Sequence, residues 1–417
     1  MSGCPRRQRP IDPDALRPSA LLAVFFAGGL VFILAGAAAA IAHAISGVWW
    51  EHWVSLHLLF VGGISQLVLG AGQFFTCAFL ATNPPSRRMV GAQVAVWNTG
   101  TILIAVGYPT TTTGLVEAGG ALVATGLVLF AAALVRMERR SLQQARWALR
   151  WYEASAASLG VGALLGVLMA RGTSWTHGSL LGAHLALNLG GWFGTAIVGT
   201  LHTFFPSLTH TQLRHPRLQA PTFVLWVAGI AGLALGSAFD SRALITVSWL
   251  GLLVAGALLA VNIVASLRAS TASLSLSARL LAAAQPFLPA GLLVAVIATL
   301  EHGTAMPFVE PWRGALATLL VAGWIGLTVA GSLLHLLSVL ARVRDLRRPL
   351  PAPRPVPDRA TAGFAAAAIA AFALTHAARP ALIAAAALLA ARILPVAARA
   401  LRPPKRRLTP QRGAQRA

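Results

Sequence analysis

Acidic side chains are scarce in this chain: 11 Asp and Glu stand against 33 Lys and Arg in 417 residues, and only 11% of the sequence is charged. A soluble domain of this size carries roughly 25% charged residues. With 57% hydrophobic residues beside that shortage, a water-soluble globule and a disordered chain are both excluded. Cysteine is nearly absent. Cys4 sits in a basic N-terminal tail and Cys77 in a long apolar run, so neither a disulfide framework nor a thiolate metal site is expected. Lysine is reduced to Lys405; the excess of Arg and Ala reads as the codon bias of a GC-rich bacterial genome. Several motifs are missing as well. There is no GxxxxGK[ST] loop, no CxxCH, no HExxH and no GxSxG, which argues against a phosphate-cradling loop, covalent haem attachment, a zinc protease and a hydrolase elbow.

What is present is a succession of apolar runs. Candidate membrane helices fall at about 19–44, 53–81, 90–108, 114–136, 153–171, 178–206, 220–238, 243–267, 280–299, 314–341, 360–377 and 380–400. Each approaches the ~20 residues that cross ~30 Å of hydrocarbon. None shows the alternation of a barrel strand. The first run is longer than a signal-peptide core and is expected to be retained. The expected fold is therefore all-α: a polytopic membrane bundle of about twelve transmembrane helices spanning 19–401. Residues 1–18 and 402–417 form basic cytoplasmic tails.

The arginines support that count. With the N-terminus inside, 27 of the 33 Lys and Arg fall on the inner side, and the outer loops hold only Arg171, Arg242, Arg313 and Arg379. This is the positive-inside bias. The net charge of +22 is then topological, and no nucleic-acid partner is expected. The partner is the lipid bilayer of a bacterial cytoplasmic (inner) membrane, crossed many times, with both termini cytoplasmic. The inner arginines also suit anionic headgroups.

The sequence repeats itself every four spans. Gly191-Trp192, Gly194 and Gly199 in span six match Gly323-Trp324, Gly326 and Gly331 in span ten, while His57, Gly63 and Gly72 in span two keep the spacing of His184, Gly190 and Gly199. The expected arrangement is a threefold pseudo-repeat of four-helix units. The same glycines also serve close helix packing in lipid.

Depth then sorts the histidines. His57 and His184 open equivalent helices at matching height near the outer face. Imidazole is a common ligand of haem iron and copper, and it also simply hydrogen-bonds neighbouring helices; both readings stand for this pair. On span six, His184, Asn188, Gly191, Thr195 and His202 lie within about 40° of one another at 100° per residue. His184 and His202 are ~27 Å apart, too far for one metal ion. Val61, Ile64, Val68 and Phe75 form an apolar stripe under His57 that would suit a flat macrocycle. Gln66, Gly70, Gln73 and Cys77 take the opposite face. His202 and His335 fall near the inner interface as snorkelling or capping groups. His52, His177 and His302 read as solvated loop residues, with a copper relay as the alternative. Glu117 is the clearest intramembrane acid, a partner for a histidine, a proton relay or an interfacial carboxylate. Asn98 and Asn262 are expected to bond between helices. Trp49, Trp50, Trp53 and Trp312 mark an aromatic belt.

A histidine opening span two, the pattern His184-x3-Asn188-x2-Gly191-Trp192, twelve spans and inside termini resemble the subunit-I superfamily of haem–copper oxidases. More closely, His57–Gly63, Arg150–Glu153 and His184 through Pro206 resemble the membrane domain of actinobacterial proteins that carry a multicopper-oxidase or copper-nitrite-reductase-like part, a part not expected on this chain. The resemblance also extends to a haem- and copper-containing family linked to nitric oxide metabolism. It implies a haem ligand at His57. Joined to the matched-depth pair, it gives the expectation of a haem- or copper-binding electron-transfer or nitrogen-oxide-handling protein, with His184 as second ligand and Asn188, Glu117 and Trp192 as polar support. Such a protein would draw on quinol and pass electrons to a periplasmic or extracellular copper protein. Two departures bear on this. Span ten has His335 alone and at its inner end, where oxidases have an HxH pair, and span seven has no histidine. The dioxygen-reducing centre is therefore expected to be missing. A transporter or permease for a small solute or metal ion is the alternative, with Pro286 and Pro289 in span nine as its candidate helix break.

Overall fold

In the computed structural model, which describes residues 14–141, 146–347 and 349–402, the chain is a bundle of long apolar helices. Cys4, Lys405 and most basic residues of the two tails lie outside those residues. Eleven spans are long and apolar enough to cross a membrane: Pro18–Ser46, Trp49–Leu80, Arg87–Gly107, Thr113–Arg140, Trp147–Ala170, Leu180–Leu208, Pro216–Ala238, Arg242–Ala269, Leu276–Phe308, Trp312–Arg344 and Arg379–Leu401. Between the last two runs an Ala-rich helix, Pro355–Thr375, which is counted here as span eleven. Among the described residues the only β contact is an isolated bridge between Ala15 and Ser86.

Local chemistry sets the ends of these helices. Ser86, Ser179, Ser241 and Ser275 cap spans three, six, eight and nine, each accepting from a backbone N–H of the first turn at 3.0–3.4 Å. Such caps satisfy donors that a helix start leaves unpaired. Pro18 and Pro355 begin their helices, where the missing N–H costs nothing. Gly47 ends span one with φ at 69°, the left-handed geometry that glycine adopts without penalty.

The helices are apolar all round, so both faces need an apolar environment. Val31 is 65% exposed, Ile41 62% and Val247 66%, and lipid supplies what water would not. Inward, the bundle packs Trp97, Trp151, Trp192 and Trp226 at 2% exposure or less. In lipid, helix association comes from close packing and interhelical hydrogen bonds. Spans three and four show the limit of that approach. A Cβ on Gly119 would stand 2.7 Å from the Gly100 carbonyl, and one on Gly100 would stand 2.7 Å from that of Gly119. Gly119→Ala gains about 1 kcal/mol of helix propensity, but the clash is with backbone and overpacking of this kind costs about 1–3 kcal/mol. We expect a net loss, read as a lower thermal unfolding midpoint in detergent. An unchanged or raised midpoint would contradict the contact.

Three spans are not regular α-helices. Leu58–Ile64 in span two, Ala186–Gly194 in span six and Ala317–Gly326 in span ten are π-helical. Ser65 N–H reaches back five residues to the Phe60 carbonyl, and Thr195 N–H to that of Gly190. Side chains of other spans also donate to carbonyls of these turns. Trp97 Nε1 donates to Val61 O at 2.9 Å, Ser155 Oγ to Trp192 O at 2.7 Å and Trp226 Nε1 to Gly190 O at 3.4 Å. Of the repeat glycines, Gly63, Gly190, Gly191, Gly194, Gly323 and Gly326 lie in these widened turns, whereas Gly72, Gly199 and Gly331 lie in the α-helical parts that follow. Gly63 lies against Ile33 and Gly191 against Ser158, where a Cβ would approach to 2.6 Å in each case. Span nine is also interrupted. One helix ends at Ala284, the next begins at Phe287, and Pro286 occupies the break.

Candidate functional site

His57 ends the α-helical start of span two, one residue before its π segment. His184 stands in the short first helix of span six, two residues before that span's π segment. The two stand at matched height, because Trp192 Nε1 bonds Ser65 Oγ at 2.9 Å and each of these residues lies eight past the histidine of its span. Each has one nitrogen anchored. His57 Nδ1 bonds the Trp53 carbonyl at 2.9 Å, and His184 Nδ1 bonds the Gly162 carbonyl at 2.8 Å. A carbonyl only accepts, so both Nδ1 atoms carry the proton. Each neutral ring therefore keeps its lone pair on Nε2, and no hydrogen bond to either Nε2 occurs among the described residues. Backbone-anchored Nδ1 and unengaged Nε2 is the preparation seen in metal-ligating histidine.

The walls of the site explain how the rings are held. His57 stacks on Trp53 with ring centroids 3.6 Å apart, and Trp53 stacks on Tyr108 of the loop after span three at 3.8 Å. On the other side, Gly166 leaves room for His184: a Cβ there would stand 3.1 Å from the imidazole Cε1. Gly162 does the same for Asn188, whose amide donates to the His184 carbonyl at 2.7 Å. Trp192 ties the two histidine-bearing spans together, because its Nε1 donates to Ser65 Oγ at 2.9 Å. Phe60 and Phe193 meet nearby with centroids 5.5 Å apart. Trp53 is expected from the sequence only as part of an aromatic belt, and Tyr108, Gly162 and Gly166 are not singled out there. The Gly162/Gly166 spacing of four was the available signal, and the stack across spans had none.

The other sequence candidates separate from this pair. Glu117 binds Arg171 Nε at 2.6 Å with a third of its side chain exposed, so its partner is an arginine at the end of span five and not a histidine. The same bond holds the Arg171 guanidinium protonated more firmly. Glu117→Gln is expected to leave the unfolding midpoint unchanged within error, since an exposed pair is screened; a large drop would mark a buried relay instead. In the loop before span ten, a hydrogen bond from Arg313 holds the Glu310 carboxyl below its ordinary range. His202 is 1% exposed, bonds Val198 O through Nδ1, stacks on Trp151 and keeps its Nε2 buried with no partner among the described residues; it is a buried group rather than an interfacial one. His335 meets Phe204 edge-on at 5.4 Å. Asn262 bonds both backbone groups of His215, and Asn98 Oδ1 is buried with no partner among the described residues.

A cavity of about 80 Å³ lies among spans one, two, five, six and ten, lined by Ile64, Val68, Phe75, Ala196, Phe204 and Val329, among others. Ile64 is seven residues past His57, about 10 Å further along the helix, so the cavity is not the histidine site. Three residues of the apolar stripe line it. Its volume suits a small apolar molecule rather than a macrocycle.

Among the described residues no group of three or more His, Cys, Asp or Glu is arranged to hold a metal ion. The donors at His57 and His184 are two imidazoles, with no third His, Cys, Asp or Glu grouped with them among the described residues. No protein-family profile matches the chain, and no curated protein matches it.

Proposed function

We propose that this chain is a haem-binding electron-transfer or nitrogen-oxide-handling protein of a bacterial inner membrane, with His57 and His184 as axial ligands and copper as the other candidate metal. One observation carries the reading: two intramembrane imidazoles at matched height on spans joined by the Trp192–Ser65 bond, each fixed through Nδ1 and free at Nε2. Haem held there would supply a one-electron centre. The chain's own part is to orient the rings, through the Trp53 and Gly162 carbonyls, and to exclude water with an apolar wall. Ring orientation and a dry shell are what tune a bound metal.

The wider organisation belongs to the same proposal. The π segments of spans two, six and ten fall at positions related by the glycine spacing, which favours a threefold pseudo-repeat of four-helix units. The arginine distribution favours cytoplasmic termini. Quinol as donor and an external copper protein as acceptor follow from the resemblance to oxidase subunit I, as does the loss of dioxygen reduction. The test is direct. Protein purified after haem-replete expression should show a Soret band with iron equimolar to chain. Absence of both the band and any bound metal would overturn the reading.

A second reading rests on the break in span nine. The helix stops at Ala284 and restarts at Phe287, and interrupted helices form binding sites in transporters. Substrate-dependent uptake into vesicles by cofactor-free protein would favour a permease.

A further inference from the structure

A second pair of histidines lies apart from the first, at the turn between spans one and two. His43 is in the last turn of span one and His52 in the first turn of span two. Their ring centroids are 5.3 Å apart, the only His–His ring contact among the described residues. The connection that creates it is short and tied at several points. Gly47 takes the left-handed conformation, Ser46 Oγ donates to the Glu51 carboxylate, and Val48 N–H donates to Ser46 Oγ at 3.0 Å. His43 Nδ1 donates to the Val48 carbonyl at 2.9 Å, so its lone pair rests on Nε2. His52 is exposed and makes no hydrogen bond, leaving both its nitrogens available.

We propose that His43 and His52 together bind a transition-metal cation of the imidazole-preferring class, copper foremost. Two ligand nitrogens on one ion stand about 3–4 Å apart, given metal–nitrogen bonds of about 2.0–2.1 Å. Rings with centroids 5.3 Å apart reach that separation by turning about their own side-chain bonds. The charge is favourable: residues 42–53 contain Glu51 and no Lys or Arg. The donor type selects the metal, because imidazole suits copper, zinc, nickel and iron, and copper leads the divalent affinity order. With two protein ligands, water fills the remaining positions, which makes the site exchangeable rather than structural. Other loop histidines lack this pairing. His177 packs against Trp175 and Phe239, and His302 lies beside Glu301 and Trp312.

The experiment is a copper(II) titration of the full-length protein in detergent, with glycine as a weak competitor, read by calorimetry and by electron paramagnetic resonance. One equimolar copper with nitrogen coupling is expected. His43→Ala and His52→Ala should each weaken binding about tenfold or more, while His177→Ala should not. His52→Gln keeps the exposed position polar and should behave as His52→Ala does. Equal affinity in the His43/His52 double variant would mean adventitious copper only and would overturn the site. The outcome is independent of the Soret band, so either proposal can fail without the other.

Discussion

Replacing either His57 or His184 with alanine is expected to strip the purified protein of most of its haem, and replacing both should leave none. The expectation follows from the way the rings are prepared. Each Nδ1 is spent on a backbone carbonyl, so each imidazole offers a single nitrogen and no neighbouring histidine can substitute for it. His202 lies about 27 Å from His184 along the same span, and its ring is already stacked on Trp151. His202→Ala therefore serves as the control and should keep its haem. The measurement is Soret absorbance per chain, with iron by elemental analysis. Full retention in the His57/His184 double variant, in protein that remains folded, would refute the assignment of ligands. Gly166→Leu should act on the same readout without touching a donor atom, because its side chain would occupy the space of the His184 ring.

The largest effect on stability is expected at Trp192. Its indole is fully buried and donates to Ser65 Oγ, while its backbone carbonyl accepts from Ser155 Oγ. Trp192→Ala leaves a cavity between spans two and six, and losses of this kind run to about 3–5 kcal/mol. Trp192→Phe keeps a six-membered ring and removes the five-membered one with its N–H, a smaller packing loss, and interhelical hydrogen bonds in membranes average about 0.6 kcal/mol. Unfolding in detergent should therefore separate the two variants widely. Packing dominates if the phenylalanine variant stays near wild type. If it falls as far as the alanine variant, the hydrogen bond and not the ring holds the spans together. Because Trp192 joins the two histidine-bearing spans, the alanine variant should also loosen the site.

Much of the architecture was legible because lipid imposes it. A helix that must cross hydrocarbon shows as a run of about 20 apolar residues, and span one, predicted at 19–44, occupies Pro18–Ser46. Pro286 likewise marked the break in span nine. The expected pairing of His57 with His184 rests only on spacing, since both stand the same distance before matched glycines. The polar stripe on span six was read with a fixed 100° step, and Ala186–Gly194 does not keep that step. The widened turns were illegible because their cause lies elsewhere in the chain, in Trp97, Ser155 and Trp226 on other spans. Glu117 was recognised as an unusual acid, but its partner Arg171 is 54 residues away, and no helical periodicity links them.

Those donors all come from other spans. A lone span two entering the bilayer lacks the Trp97 indole that bonds the Val61 carbonyl, and a lone span six lacks the Trp226 indole at Gly190. These contacts exist only where spans three and seven stand alongside, so the surroundings of the π segments are complete only in the assembled bundle.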